Sequence, residues 1–215
     1  MQEIVEIRNA SAGYSNEVVL HNVSLSIQEK DYIGVIGPNG GGKTTLVKLI
    51  LRLIPPMQGE VIYYGGDQRN LIGYLPQVNK TDRSFPISVN EVVLSGLMSA
   101  NAGLRRFTRS DKARAMEILE MMGIAHLRKK SIGELSGGQM QRAFLGRAII
   151  SEPRLLILDE PNTFVDNKFE HDLYELLSHL NEKMAIMMVS HDVGTITTYV
   201  KTIACVNRNL HYHRS

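Results

Sequence analysis

The stretch Ile33-Gly34-Val35-Ile36-Gly37-Pro38-Asn39-Gly40-Gly41-Gly42-Lys43-Thr44 decides how the rest of the chain is read. It opens on a short apolar run that ends in glycine, the pattern of a buried central strand. Gly37 to Thr44 then fit the spacing G-x-x-x-x-G-K-[ST]. Beyond them Leu46, Leu49, Ile50 and Leu53 recur at helical spacing, which predicts a helix with one face on a sheet. Strand, glycine loop and helix in that order suit phosphate. Glycines let backbone N–H groups turn inward around phosphate oxygens, and the helix N-terminus adds the positive end of its dipole. Lys43 is placed to bridge terminal phosphates and the Thr44 hydroxyl to ligate Mg²⁺, with Thr45 beside it in the same nucleotide-contacting set. The competing reading is a glycine-rich turn with no ligand; the strand before it and the helix after it favour phosphate.

Working outward, Leu155-Leu156-Ile157-Leu158 reads as a buried strand that ends in Asp159-Glu160. The C-terminal ends of parallel strands are where open α/β sheets bind ligands. Asp159 is placed to hold a hydrated Mg²⁺, which needs only one or two protein oxygens. Glu160 is placed to orient and deprotonate an attacking water. Alone, the pair reads equally well as a surface Asp-Glu opening a loop before Pro161. His191 follows the apolar strand Ala185–Val189 in the same way, within reach of a γ-phosphate, although a lone histidine is more often structural.

The remaining segments fill in an architecture. Val23, Leu25 and Ile27 alternate with serines, and Val61–Tyr64 is a second β-rich run closed by Gly65-Gly66. From about Asn90 to Ile124 the pattern turns helical, with Ala115, Ile118, Leu119 and Met122 as an apolar stripe ending at Gly123. Helices are predicted at Gly138–Ile150 and near Glu170–Leu180. Strand–helix alternation over the last third argues for a mostly parallel α/β sheet.

Bulk properties narrow the class. The 215 residues suit one domain, or one domain with an inserted subdomain. Lys and Arg total 24 against 22 Asp and Glu, a net +2 that lacks the footprint of a nucleic-acid binder. Cys205 is the only cysteine, so no intrachain disulfide forms and a reducing compartment is expected. No signal peptide is expected at the N-terminus, and no run approaches the roughly 18 apolar residues a membrane helix requires.

Leu135-Ser136-Gly137-Gly138-Gln139, at the start of the helix predicted from Gly138, separates this chain from other phosphate-loop proteins. Here it resembles the ATP-binding-cassette (ABC) ATPases, and the resemblance covers nearly the whole chain in the family's order. It implies an α/β fold: a P-loop NTPase (RecA-like) core with a mostly parallel sheet, an N-terminal antiparallel β subdomain and an inserted helical signature subdomain at about 84–145. All of this falls within a single ABC-type ATPase domain over residues 1–215. The resemblance further implies ATP and Mg²⁺ as cofactors. Tyr14 matches the aromatic that stacks on adenine, and Gln77 the loop glutamine that senses Mg²⁺ and the transporter. Asp166 matches the aspartate of the loop after the catalytic Glu160, and His191 the switch histidine. Ser136, Gly137, Gly138 and Gln139 match the segment that completes the ATP site of a second copy, so a head-to-tail homodimer is expected in the ATP-bound state.

Within the family, a single cassette with no membrane span resembles the ATPase of a membrane transporter. A DNA-repair or translation-type ATPase would carry coiled coils, extra domains or a second cassette. The segment Gly73–Gly96, the triple glycine Gly40–Gly42 and the ending Cys205-Val-Asn-Arg-Asn-Leu-His-Tyr-His213 look like the zinc/manganese importer ATPases, and the iron-chelate and cobalamin importers share much of this. The implied partners are polytopic membrane permease subunits and, indirectly, a substrate-binding protein, at the cytoplasmic face of the cell membrane; no nucleic acid is implied. His211 and His213 read as a polar C-terminal tail rather than as metal ligands. Phe85, Pro86, Val89 and Val92 either line a groove for a short helix of the membrane subunit or pack the helical subdomain internally. Arg105, Arg106, Arg109, Lys112 and Arg114 read as a solvated basic face. Two departures from the family pattern stand out: Asn162 after Glu160-Pro161, and Thr163-Phe-Val-Asp166 in the next loop.

Overall fold

The computed structural model describes residues 2–15, 17–65, 70–77, 86–98, 106–161, 167–191 and 193–214. Phe85, Arg105, Asn162 and the segment Thr163–Asp166 lie outside them. Two sheets organise the chain. The first is antiparallel, in the order β2 (Glu17–Gln28), β1 (Glu3–Tyr14), β4 (Gln58–Tyr63). The second has six strands, in the order β5 (Ile72–Leu75), β6 (Leu155–Asp159), β7 (Ala185–Val189), β3 (Tyr32–Ile36), β8 (Thr202–Asn207), β9 (Asn209–Arg214). Its neighbours pair in parallel except β8 and β9, which form an antiparallel hairpin.

The strand period of two divides the core between the faces of the larger sheet. Ile33, Val35, Leu155, Ile157, Met187 and Val206 pack with the antiparallel sheet and α1 (Lys43–Ile50). Tyr32, Leu156, Leu158, Ile186 and Met188 face the helices on the other side. Those are α2 (Val89–Ser95), α3 (Arg109–Met121), α4 (Gly137–Ile149), α5 (Asn167–Asn181) and α6 (Val193–Tyr199). The first three lie in the chain between β5 and β6. Ala115, Ile118, Leu119 and Met122 are buried among them, as their spacing predicts.

Four expectations need correction or refinement. The helix after the glycine loop does not reach Leu53, which is 65% exposed. It stops because Arg52 turns left-handed (φ 59°), with Arg52 N–H donating to Leu49 O and Leu53 N–H to Lys48 O. That is a Schellman closure with arginine where glycine is usual, so no glycine marks the stop, and Pro55-Pro56 bound the helix only beyond Leu53. Among its described residues the helical stretch from Asn90 to Ile124 holds two helices, α2 and α3, each started by a full capping box, at Ser88 with Glu91 and at Thr108 with Asp111. The C-terminal tail is the edge strand β9: His211 pairs with Cys205 and His213 with Ile203. Lastly, Val89 and Val92 are buried in the helical core, which settles them as internal packing, while Pro86 is exposed. In the basic run, Arg114 reaches Glu152 at 2.8 Å.

Candidate active site

Register brings the ends of three strands to one level. Val189 of β7 pairs with Val35 of β3 on one side and with Asp159 of β6 on the other. Two further bonds extend this ladder past the strands: Ser190 N–H donates to Val35 O at 3.0 Å, and Glu160 N–H to Val189 O at 2.9 Å. The glycine loop, Asp159-Glu160 and His191 therefore emerge together at the carboxyl edge of the parallel sheet, where such sheets take ligands. A cleft of about 390 Å³ opens there, lined by Tyr14, Asn39, Gly40, Gly42, Lys43, Thr44, Thr45, Gln77, Asp159 and Glu160, with Val19 and Val189.

The loop needs its glycines for distinct reasons. Gly37 (φ 151°) and Gly42 (φ 103°) sit where side-chain-bearing residues are strained. A Cβ at Gly37 would lie 2.0 Å from the Val206 carbonyl oxygen, and one at Gly42 would lie 2.6 Å from a Leu20 methyl. Gly42 is the N-cap of α1, and no side chain caps this helix. Its first N–H groups lack intrahelical partners and are the donors an anion would take. Lys43 is buried, and its ammonium donates to the carbonyls of Gly37 at 2.8 Å and Pro38 at 3.1 Å.

Across the cleft, Asp159 is buried and its carboxyl is pushed above the ordinary range, first by desolvation and then by the charge of Glu160. Two adjacent carboxylates opposed by a single lysine are the electrostatic condition that a divalent cation relieves. With the Thr44 hydroxyl and the Gln77 amide lining the same cleft, the available donors are oxygens, which suit Mg²⁺.

Glu160 adopts φ 49°, a left-handed conformation that is rare without glycine. Its carboxylate accepts from Gln77 Nε2 at 2.6 Å on one oxygen and faces His191 Nδ1 at 3.4 Å with the other. Such strain at a carboxylate held by two side chains is typical of functional positions.

Not every expected residue meets here. Ser136–Gln139 contribute nothing to the lining of this cleft. They begin α4, where Ser136 Oγ accepts from Gln139 N–H at 3.3 Å and Gln139 Oε1 accepts from Ser136 N–H at 3.1 Å. Pro38, Gly41 and His191 border the site through the loop turn and Glu160 rather than lining it. Asp166 lies outside the described residues. Tyr14 stands on the cleft wall, 42% exposed, with the Lys48 ammonium 4.9 Å from its ring centre.

Sequence reasoning passed over Tyr74, whose hydroxyl donates to Asp159 Oδ2 at 3.4 Å and whose pKa is pushed up to about 12 by burial and then by that carboxylate. Its signal was the parallel pairing of β5 with β6, which needs the fold to be known. Also passed over was Gln141, a buried amide on α4 that donates to the carbonyl of Pro161.

The family described as ABC transporter matches residues 20–163. The chain is 38% identical to the zinc uptake system ATP-binding protein ZurA of Listeria innocua, over 98% of this chain and 85% of that protein. It is 38% identical to the zinc import ATP-binding protein ZnuC of Pasteurella multocida, over 96% of this chain and 74% of that one. Among solved structures, a dimeric ATP-binding cassette in a post-hydrolysis state with ADP and Pi superposes with a TM-score of 0.79 at 25% identity, covering 98% of each chain.

Proposed function

From a chain that belongs to the ABC transporter family, as one of its ATP-binding and ATP-hydrolysing members, we infer a subunit that powers import of a divalent transition metal, zinc or manganese. The observation that carries this reading is the convergence of Lys43, Thr44, Gln77, Asp159 and Glu160 in one cleft. The substrate class is supported by the zinc-uptake and zinc-import names of relatives that align over nearly the whole chain.

In this reading the loop amides from Gly37 to Thr45 bind the ATP phosphates, and Tyr14 offers its ring to the adenine. Lys43 exchanges the Gly37 and Pro38 carbonyls for oxygens of the terminal phosphates, a charge-assisted bond replacing two neutral ones. Asp159, Thr44 and Gln77 would hold Mg²⁺, which when bound neutralises charge on the β- and γ-phosphate oxygens. Glu160 orients a water and takes its proton as the oxygen attacks the γ-phosphorus, and the bond to ADP breaks. His191, beside Glu160, contacts the γ-phosphate.

Ser136–Gln139 act on a second copy's ATP, in a head-to-tail pair that ATP closes and hydrolysis opens. The signature lies on the inserted helical subdomain, at about 84–145 of one ATPase domain spanning residues 1–215. Among the described residues no helix is long and apolar enough to cross a membrane. In this reading the metal crosses through permease subunits, fed by a binding protein, with this subunit at their cytoplasmic face. Among the described residues no group of three metal-binding side chains occurs.

The test is uptake of radiolabelled zinc and manganese in cells lacking this protein and in cells re-supplied with it. Metal uptake is expected to fall in the first and return in the second. Unchanged zinc and manganese uptake, with loss of iron-chelate or cobalamin uptake, overturns the substrate assignment.

A further inference from the structure

The phosphate loop is gripped from behind by a hairpin near the C-terminus. β8 and β9 join in a tight hairpin whose strand partners close to Asn207↔Asn209, leaving Arg208 at the apex. Arg208 is left-handed, φ 60°, although it is not glycine. Its N–H donates to Gly41 O at 2.8 Å, and its own carbonyl accepts from His21 N–H of β2 at 2.7 Å. One residue thus ties the glycine loop to both sheets. Beside it, the Val206 carbonyl is packed so closely that a Cβ on Gly37 or Gly41 would lie 2.0 or 2.8 Å from its oxygen.

Peptide geometry gives this contact a consequence. In a trans peptide the C=O and the following N–H point to opposite sides. Holding Gly41 C=O behind the loop turns the Gly42 N–H to the front, and Gly42 lines the cleft. Gly41 N–H is itself engaged with Pro38 O at 3.0 Å, so the turn is fixed at both ends.

We propose that Arg208 is a positioning residue for the phosphate loop, acting through its left-handed backbone and N–H rather than through its exposed guanidinium. Its role is to pre-orient the loop donors before nucleotide arrives, so the effect falls on ATP affinity. This rests on the reading of Gly37–Thr44 as the ATP phosphate site.

The experiment measures KM for ATP and kcat in the full chain for four variants, each checked for native folding by circular dichroism. Arg208→Pro removes the N–H and forbids positive φ; Arg208→Val keeps the N–H but resists positive φ; Arg208→Gly and Arg208→Lys keep the N–H, the first with free access to positive φ and the second with a basic side chain. Arg208→Pro is expected to raise KM about tenfold and Arg208→Val about threefold, with kcat within about twofold of the parent, as loss of one hydrogen bond to a preorganised loop implies. Arg208→Gly and Arg208→Lys are expected to retain the parental KM. An unchanged KM in Arg208→Pro overturns the inference, and where that variant does not fold, an unchanged KM in Arg208→Val does so. A KM raised in Arg208→Lys as much as in Arg208→Val also overturns it, by moving the effect to the side chain. Lys43→Ala separates the underlying reading: parental ATP affinity in that variant removes the loop as the ATP site, whereas the Arg208 inference failing alone leaves the Lys43 loss intact.

Discussion

At the start of α1, Gly42 is a left-handed N-cap with no side chain over the first turn. At the start of α4, Ser136 and Gln139 close a full capping box. Both helices begin in glycine-rich sequence, yet only the first lines this chain's cleft. The bare start leaves its first N–H groups without a side-chain cap, as the proposed phosphate site requires, whereas the capped start satisfies its own. The two arrangements remain compatible with a shared ligand. A serine hydroxyl that accepts one N–H still has its proton to donate, so Ser136 can cap its helix and bind a phosphate oxygen of another copy's ATP together.

The sharpest way to test this division of labour is to stop the chemistry while leaving both helix starts intact. Glu160→Gln is expected to lower ATP turnover by about a hundredfold or more, the scale of a lost general base. Because binding is spared, ATP is expected to trap a pair visible by size-exclusion chromatography; robust turnover by this variant removes Glu160 as the base. Next in size, Ser136→Ala is expected to lower ATPase activity about tenfold through its lost γ-phosphate contact, and to leave ATP affinity of the single chain unchanged. Unchanged ATPase activity in that variant would sink the two-copy reading. The smallest effect belongs to the control. Ser88→Ala breaks a capping box of the same chemistry at α2 and is expected to cost about 1 kcal/mol, read as a lower Tm, with full activity per folded molecule. An activity loss equal to that of Ser136→Ala would reduce the signature serine to a helix cap.

The two helix starts also differ from their surroundings in how far the sequence discloses them. The loop before α1 was legible because each element of the motif is local, and because Asp159, Glu160 and His191 follow apolar runs that read as strands. The signature was legible only through resemblance to a family; its residues lie far along the chain from the cleft. Local rules failed where backbone conformation is carried by an unexpected residue. Arg52 ends α1 in a left-handed turn that glycine would have announced, and Arg208 turns β8 into β9 in the same way. The period-two pattern of Leu210 and Tyr212 between polar neighbours was present in the C-terminal segment, but a short terminal run reads as strand only once β8 is there to pair with it. Tyr74 was hidden for a related reason: its partner Asp159 is distant in sequence and adjacent only through parallel pairing.

Glu160 carries a consequence for the chain as a folded object. Its left-handed backbone costs about 1–2 kcal/mol relative to a residue free of Cβ, and its carboxylate stands beside that of buried Asp159. A sequence selected only for the melting temperature of the monomer would place glycine at 160, relieving both the strain and the repulsion. With Glu160 as the proposed base, glutamate at this position trades thermal stability for turnover, set at a single backbone position.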